Sequence, residues 1–329
     1  MILIVTNKED IHPTPVVEYL NERAYPVFRL NTEALLTDYR FHWWTDEKKT
    51  DFYIKHVKSG LEAYGHEITA VWERRPVLPS ELWLNNREEV NRHNLKEAAG
   101  FLSFLLHELS DRFCIGHHLY DRSASSKMRQ IRLAQELGIR IPATCFSNRQ
   151  EYVLAFARSF EHVMLKSIES DNVWLGGEKE YVFFGQKVVS PSLEELPREA
   201  FEQTVNFVQE YVEKLFELRV TAVCEKLFAC KIDSQCMDED KGRVDWRQGY
   251  EYGLHYEPYE LPENVAAFCR QFLQRMKLNF GCFDFIVTPQ YEYVFLECNP
   301  NGQWLWIEQE TGMKISQAVA ECLMKQSAV

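Results

Sequence analysis

The stretch Gly281-Cys-Phe-Asp284-Phe-Ile-Val-Thr-Pro-Gln-Tyr-Glu-Tyr-Val-Phe-Leu-Glu297-Cys-Asn299-Pro-Asn-Gly302 contains two apolar strands joined by a short polar turn. Strands joined this closely pair antiparallel, so Asp284 and Glu297 can lie opposite each other on one face. Because side chains alternate along a strand, Asn299 can share that face. Two carboxylates and an amide oxygen suit Mg²⁺, which keeps its other positions for water and nucleotide phosphates. The hairpin therefore predicts a magnesium site.

The alternative is that Asp284 and Glu297 are solvated residues of an ordinary hairpin. Their neighbours oppose this interpretation, because they indicate a sheet with little exposed face. These neighbours are Phe283, Phe285, Val287, Val294, Phe295 and Leu296. In such surroundings an acidic side chain without a partner is costly, which favours a bound cation.

Size and charge limit the classes of partner. With 329 residues, the chain is longer than one hydrophobic core usually serves, so we expect two or three lobes. The net charge is −12 and no block of Lys and Arg occurs, which argues against nucleic acid and anionic membrane as partners. The longest apolar stretch, Ala98 to Leu106, is too short to span a membrane. The apolar start is too short for a signal peptide, so we expect a cytoplasmic protein.

The nine cysteines occur singly along the chain, without a C-x-x-C pair. An odd, unclustered set is typical of reduced thiols and argues against a disulfide framework or a zinc site. Several lie in apolar runs, where Cys behaves as a small core residue. We therefore expect free thiols, which agrees with a cytoplasmic location.

The pattern of strands and helices predicts an α/β protein. Ile2–Thr6, Thr14–Arg23 and Val27–Leu30 read as strand, helix and strand, which indicates a small doubly wound lobe. Further predicted elements are a strand at Ile68–Trp72, helices at Glu88–Asp111 and Ser123–Leu137, a strand at Val163–Ile168, a hairpin strand at Tyr181–Ser190, a helix at Glu263–Leu278, strands at Phe283–Thr288 and Tyr293–Glu297, and a terminal helix from Lys314.

Residues 199–223 are ambiguous by periodicity. Their spacing permits one long helix from Glu199 to Leu218. However, Thr204–Val208 and Leu218–Val223 are β-branched and apolar enough to form strands. We favour a helix, a strand, a hinge and a second strand.

Several pieces of the chain resemble the ATP-grasp superfamily and occur in its order. They are Lys127 in Asp121-Arg-Ser-Ala-Ser-Ser-Lys-Met, Lys166 in Val163-Met-Leu-Lys-Ser, the segment Gln209-Glu210-Tyr211-Val212, the strand Glu217-Leu-Arg219-Val, and the hairpin quoted above. In that superfamily two lysines reach the ATP phosphates and the hinge backbone pairs with adenine. The following arginine faces the transferred phosphate, and the D…E-x-N set holds magnesium.

The likeness narrows to the graspetide ligases, the ATP-grasp macrocyclases of microviridin- and marinostatin-type peptides. The matching segments are Trp72-Glu-Arg-Arg-Pro76, Glu217-Leu-Arg-Val-Thr-Ala-Val, Ile232-Asp-Ser-Gln235, Asp245-Trp-Arg247 and Glu297-Cys-Asn-Pro-Asn-Gly-Gln-Trp304. One departure concerns the glycine-rich phosphate loop, which is represented only by Gly176-Gly177 in a charged setting. We therefore assign no phosphate contact to that loop.

The resemblance implies an ATP-grasp fold of mixed α/β (α+β) class in three lobes. A doubly wound pre-grasp lobe spans residues 1–117, a central lobe 118–190, and a C-terminal lobe with the metal and nucleotide site 191–329. A homodimer is also implied.

The resemblance further implies a role for each matching residue. The implied metal ligands are Asp284, Glu297 and Asn299, and the implied phosphate contacts are Lys127 and Lys166. The implied nucleotide hinge is Gln209, Glu210, Tyr211 and Val212, with Lys214 beside it. The candidates to hold the substrate carboxylate are Arg219 and Arg247. Asp245 orients Arg247 or serves as a base. The plainer alternatives are a surface pair of Asp245 with Arg247 and a cross-strand pair of Glu217 with Arg219.

The implied activity is ATP-dependent closure of rings in a peptide. ATP and Mg²⁺ activate Asp or Glu side chains of a ribosomally made precursor, and Ser/Thr hydroxyls or Lys amines of the same peptide attack. The precursor has a leader and a Thr/Ser- and Glu/Asp-rich core, and Ser192–Pro197 is a candidate leader-docking loop. The alternatives are a ligase that adds free amino acids to a peptide or protein, a nucleotide-sensing peptide-binding protein, and a kinase that stops at phosphorylation.

Overall fold

The computed structural model describes residues 1–81, 88–169, 172–174, 180–236, 243–247 and 253–326. Parallel strands form the first sheet, and antiparallel strands form the sheets that follow. This arrangement confirms the expected mixed α/β class. Within the described ranges, no helix has both the length and the apolar composition that a membrane span requires.

The first third of the chain is built on a four-stranded parallel sheet. Its elements are β1 (Ile2–Thr6), α1 (Pro13–Glu22), β2 (Val27–Asn31), β3 (Tyr39–Thr45), β4 (Thr50–His56), β5 (Glu62–Tyr64), β6 (Ala70–Glu73), α2 (Glu88–Glu108) and β7 (Phe113–Ile115). The sheet order β2-β1-β6-β7 confirms the predicted strand–helix–strand opening. A small antiparallel sheet, β3-β4-β5, was not predicted, and its Phe52 and Ile54 pack into the same core as Leu3 and Phe28.

A second group of elements surrounds an antiparallel sheet. It comprises α3 (His118–Ala124), α4 (Lys127–Glu136), β8 (Thr144–Ser147), α5 (Gln150–Ala157), β9 (His162–Lys166), β10 (Asn172–Trp174), β11 (Glu180–Val182), β12 (Gln186–Val189), α6 (Arg198–Glu202) and β13 (Asn206–Glu210). The sheet order is β12-β9-β13-β8. Strand β13 lies after the predicted boundary at residue 190, but it pairs with β9 and β8 of the central sheet. The three lobe boundaries stay a prediction. Gly176 and Gly177 lie outside the described residues.

The helix predicted from Ser123 to Leu137 is wrong at its first end. The backbone of Ser126 is extended (φ −65°, ψ 108°), and α4 begins only at Lys127. The Ser125 hydroxyl donates to the Asp121 carbonyl at 2.8 Å, the kind of local bond by which serines compete with helix continuation. As a result Lys127 starts a helix, while Gly138 ends it with a positive φ of 76°, as predicted.

The last third forms a five-stranded antiparallel sheet. Its elements are β14 (Phe216–Val223), β15 (Lys226–Ile232), β16 (Tyr256–Pro258), α7 (Glu263–Met276), β17 (Phe280–Val287), β18 (Tyr293–Asn299), α8 (Leu305–Thr311) and α9 (Ile315–Gln326), with the sheet order β16-β15-β14-β17-β18. Phe268 and Phe272 of α7 pack against Phe283 and Phe285. Each fully buried Phe contributes roughly 1.5–3 kcal/mol, so this face anchors the sheet. Strand alternation turns Asp284 to the other face.

The ambiguous segment 199–223 folds as predicted. It contains α6, β13, a connection over residues 211–215, and β14. The alternative of one long helix is wrong, because residues 206–210 and 216–223 are central strands of two different sheets.

The expectation of reduced thiols is wrong for one pair of cysteines. Cys224 and Cys322 form a disulfide, with their Cα atoms 6.6 Å apart and a sequence separation of 98. Cys224 follows β14 and Cys322 lies in α9, so folding brings together two positions that no spacing motif connects. Among the described residues, the remaining cysteines are free.

Candidate active site

A cavity of about 640 Å³ lies between the central sheet and the C-terminal sheet. Every residue to which the sequence assigned a role in binding metal, nucleotide or the substrate carboxylate lines it, from Lys127 on α4 to Asn299 at the end of β18. The chain therefore brings together residues that are far apart in sequence. The roles of these residues stay predictions, but their convergence in one place is a structural fact.

The hairpin of β17 and β18 carries the three predicted metal ligands. Asp284 and Glu297 are directly paired across the two strands, as predicted, and a β-bulge follows Asp284. Asn299 ends β18, and its Oδ1 accepts a hydrogen bond from the backbone N–H of Asn301 at 2.9 Å. Two carboxylates and an amide oxygen on one cavity wall fit Mg²⁺ by their chemistry.

Both carboxylates of the hairpin are paired with cations. The Nζ of Lys127 lies 2.6 Å from Oε2 of Glu297, and the Arg219 guanidinium lies 2.6 Å from Oδ2 of Asp284. Burial alone would raise the pKa of Glu297, but the Lys127 ammonium holds it at about 2. Burial raises the pKa of Asp284 against the opposing charge of Arg219. The site therefore already contains two ion pairs at the place where the predicted nucleotide and metal would add further charges.

The second predicted phosphate contact, Lys166, ends β9 on the opposite wall. Burial lowers its pKa, and the negative charge of Glu297 opposes that effect. An ammonium in such surroundings is stabilised by an anion. Its role as a phosphate contact stays a prediction, which this buried ammonium in the cavity supports.

Arg219 lies on the central strand β14, and its position depends on a close approach of backbone. Its Nη2 donates to the Gln303 carbonyl at 3.3 Å. A Cβ at Gly302 would lie 2.9 Å from Nη2 and would overlap Cys282, so glycine is required there. The plainer alternative, a pair of Glu217 with Arg219, is wrong, since Glu217 pairs with Lys214 and Arg219 with Asp284.

Lys214 lines the cavity, but its ammonium is already occupied. It contacts the Glu217 carboxylate and donates to the Val244 carbonyl at 2.9 Å. The hydroxyl of Ser234 also donates to Glu217, at 3.0 Å. Lys214 is thus a neighbour of the predicted nucleotide site whose charge is neutralised within the protein.

Asp245 and Arg247 form a bidentate pair. The Nε and Nη2 of Arg247 lie 3.0 and 2.7 Å from the two Asp245 oxygens, and the Gly185 N–H donates to Asp245 at 3.2 Å. The pair named in the plainer alternative is therefore present, with Asp245 11% and Arg247 38% exposed. This geometry agrees with a role of Asp245 in orienting Arg247.

The predicted hinge begins with the last two residues of β13, Gln209 and Glu210, and continues into the connection that follows. Gln209 is buried and its Nε2 donates to the Thr144 hydroxyl at 3.0 Å. The N–H of Glu210 donates to the Ala143 carbonyl at 2.9 Å, and the N–H of Tyr211 to that of His162 at 3.3 Å. Val212 belongs to a small apolar cluster with Ile286, Val294 and Leu296. An apolar surface of this kind suits the flat face of a nucleotide base. The apolar pattern of the strand residues alone did not predict this surface.

Sequence reasoning missed the contribution of the first lobe. Arg74 is fully buried, and its Nη1 donates to the carbonyls of Asn301 and Gly302 at 2.6 and 3.0 Å. Its Nε lies 2.9 Å from Oδ2 of Asp10. Arg75 lines the cavity and donates from Nε to the Asn301 carbonyl at 3.2 Å. The sequence did show two adjacent arginines after a strand. That pattern alone did not reveal that they contact the loop of Asn301 and Gly302.

Comparisons with known proteins agree with this geometry. A family model, the MvdD pre-ATP grasp domain, matches residues 1–122. No curated protein matches the sequence. Among solved structures, a RiPP-associated ATP-grasp ligase of Chryseobacterium gregarium, in complex with ADP and a leader and core peptide, is 26% identical with a TM-score of 0.88, over 99% of this chain and 96% of that chain.

Two macrocyclases of Microcystis aeruginosa MRC are also similar. MdnC, bound with the precursor peptide MdnA, is 28% identical with a TM-score of 0.83, over 99% of both chains. MdnB is 24% identical with a TM-score of 0.75, over 98% of both chains, and shows the shared fold. The fold and the cavity define an ATP-grasp ligase. Within that class, the chain is similar to the graspetide ligases.

Proposed function

We propose that the enzyme is an ATP- and Mg²⁺-dependent peptide macrocyclase. It activates Asp or Glu side chains of a ribosomally made precursor and joins them to Ser/Thr hydroxyls or Lys amines of the same peptide. The observation that carries this proposal is the convergence of the hairpin acids, both lysines and both arginines on one cavity. The peptides in the complexes of the Chryseobacterium ligase and MdnC support a peptide substrate.

The reaction needs two steps because a carboxylate is a poor electrophile. First, a carboxylate oxygen of the peptide attacks the γ-phosphorus of ATP, which forms an acyl phosphate and releases ADP. Then the hydroxyl or amine attacks the acyl carbon, the C–O bond to phosphate breaks, and inorganic phosphate leaves. The attacking group loses its proton, for which Asp245 is the candidate base.

The residues of this chain provide positioning and charge compensation. Lys127 and Lys166 receive phosphate oxygens from opposite walls, while Arg219 and Arg247 hold the substrate carboxylate and then its acyl phosphate. Mg²⁺, held by Asp284, Glu297 and Asn299, would supply further charge neutralisation at the phosphates. Because these groups are fixed before the substrate binds, little reorganisation is needed when charge develops.

The leader-docking role of Ser192–Pro197 stays part of the proposal. Glu194 in this loop is paired with Arg158 of the chain at 2.9 Å, which leaves Glu195 as the better candidate for a basic leader. A charge reversal, Glu195→Lys, should weaken precursor binding and leave ATP binding unchanged.

The test of the function is mass spectrometry of a Thr- and Glu/Asp-rich precursor after incubation with enzyme, ATP and Mg²⁺. We expect the loss of one water for each ring. Glu297→Gln and Asn299→Ala should abolish this loss and retain precursor binding, whereas Glu292→Gln, in the exposed turn of the same hairpin, should be active. Addition of a glutamate mass, or a stable phosphorylated peptide, would replace macrocyclisation by one of the alternative activities.

A further inference from the structure

A cluster of imidazole and carboxylate groups lies outside the ATP cavity. Glu73 ends β6 in the first lobe, and His117 and His118 begin α3. Potential ligand atoms of these three residues all lie within 4.8 Å of one another. None of the three lines the cavity described above. The cluster therefore joins two parts of the fold at a place where the proposed reaction does not occur.

His118 is held in an orientation that leaves one ring nitrogen without a partner. Its Nδ1 lies 2.9 Å from Oε1 of Glu73, and its backbone N–H donates to Oε2 at 3.2 Å. With the carboxylate at Nδ1, the proton is on Nδ1 and Nε2 carries a lone pair. This Nε2 is buried and has no hydrogen-bond partner among the described residues. Glu73 lies on the Nδ1 side of the ring, so an ion shared with Glu73 would bind Nδ1 in place of that proton, and Nε2 would then carry the proton.

Two neighbouring histidines are oriented by backbone carbonyls. The Nε2 of His117 lies 3.3 Å from the Ser110 carbonyl, and the Nδ1 of His107 lies 2.7 Å from the Ser103 carbonyl. The rings of His117 and His107 lie 5.0 and 4.6 Å from the His118 ring, measured between centroids. An imidazole whose one N–H is held by a carbonyl or carboxylate is the usual state of a metal-ligating histidine.

His117 has a competing contact, because its Nδ1 accepts the backbone N–H of Leu119 at 3.2 Å. This bond is long, and a divalent ion at Nδ1 would replace it while the contact to Ser110 stays in place. Glu73 is 4% exposed, so its charge also lacks solvent. A cation among the three side chains would balance that buried carboxylate.

We propose that Glu73, His117 and His118 form a second metal site, which binds a first-row transition ion, Zn²⁺ foremost, with His107 near enough to become a fourth ligand. Two imidazoles and one carboxylate are a donor set for Zn²⁺, whereas Mg²⁺ prefers oxygen donors alone. The site is distinct from the nucleotide site in both place and chemistry. Its expected effect is structural, since it links the end of β6 to the first turn of α3.

The experiment is a titration of the full-length, chelator-treated protein with Zn²⁺ alone, by calorimetry and by the shift of the unfolding temperature. We expect one high-affinity Zn²⁺ per chain and a higher unfolding temperature. His118→Ala and Glu73→Gln should lower the affinity at least about 10-fold. His93→Ala, which removes an exposed histidine of α2, should bind like the wild type.

Cobalt substitution of the wild type gives a second measurement that depends on no variant. The Co²⁺ spectrum should show bands of nitrogen and oxygen ligation without thiolate charge transfer. A thiolate band would overturn the assignment, because it would place the ion on a cysteine. Equal Zn²⁺ affinity in the wild type and both ligand variants, or no binding by the wild type, would also overturn it. None of these readouts depends on macrocyclase activity, so the proposed function stands or fails separately.

Discussion

The Nζ of Lys127 lies 2.6 Å from Oε2 of Glu297, so a predicted phosphate contact and a predicted metal ligand contact each other directly. The pair joins the first residue of α4 to the β17–β18 hairpin across 170 residues of sequence. On the proposed roles, Lys127 would exchange this carboxylate for phosphate oxygens, and Glu297 would be released to hold Mg²⁺. The ion pair therefore holds both side chains in place in the absence of nucleotide.

Lys127→Ala should raise the KM for ATP. A hydrogen bond to a charged group contributes about 1.5–3 kcal/mol, which corresponds to an increase of about 10-fold or more. Steady-state ADP release over a range of ATP concentrations measures this effect. Arg132→Ala, an exposed cation on the same helix, is the matched control. An unchanged KM in Lys127→Ala would remove this residue from the nucleotide site.

Arg219→Lys should lower kcat with little change in the KM for ATP. The substitution keeps the charge beside Asp284 but loses the planar fork that can hold a carboxylate and then its acyl phosphate. Loss of one such donor lowers kcat about 100-fold in comparable sites. Single-turnover formation of the dehydrated peptide measures the chemical step. Arg270→Lys on α7, exposed and paired with Glu263, should retain wild-type rates.

Asp121→Ala should weaken the response to Mg²⁺ without contact to the metal site itself. Oδ2 of Asp121 accepts from Nδ2 of Asn301 at 2.6 Å, and the Asn301 backbone N–H donates to the Asn299 side chain at 2.9 Å. Without Asp121, Asn299 is less firmly oriented, so the Mg²⁺ concentration for half-maximal rate should rise several-fold. Asp111→Ala, exposed in the preceding loop, serves as the control. A loss of thermal stability with unchanged Mg²⁺ dependence would contradict the positioning role.

Asp10→Asn should change how stability depends on pH. Burial would raise the pKa of Asp10, but the hydrogen bond from His12 and the charge of Arg74 hold it at about 2. A carboxylate with a lowered pKa stabilises the fold above its unfolded value near 3.9, and this contribution is lost as the pH falls toward 2. The variant should therefore be less stable by about 2 kcal/mol at pH 7.

The difference between wild type and Asp10→Asn should shrink below pH 4. Urea unfolding at a series of pH values measures it. A difference that is constant from pH 7 to pH 3 would show that the charge of Asp10 contributes nothing.

Local patterns predicted the parts of the fold that depend on one segment. The strand at Ile2–Thr6 and the hairpin with Asp284 and Glu297 have the apolar runs and short connections that determine pairing. The site residues could be named because the matching motifs occur in order. Their placement in one cavity, however, requires two sheets to meet, and no local pattern contains that information.

The features that were missed depend on contacts between distant segments or on side-chain competition. The helix break before Lys127 depends on two serines that interrupt an otherwise regular apolar spacing. The disulfide between Cys224 and Cys322 and the contact of Arg74 with Asn301 join residues 98 and 227 positions apart. Such pairs become visible only after the chain has folded.

The contact of Arg74 with the carbonyls of Asn301 and Gly302 has a consequence for protein engineering. The conformation of the loop that follows the β17–β18 hairpin depends on the Arg74 guanidinium, which belongs to the first lobe. A hybrid enzyme that takes its first lobe from another ligase would retain every predicted ATP ligand and could still lose activity. Exchange of the first lobe between such enzymes therefore requires that Arg74, Asp10 and the loop from Asn299 to Gly302 be transferred together.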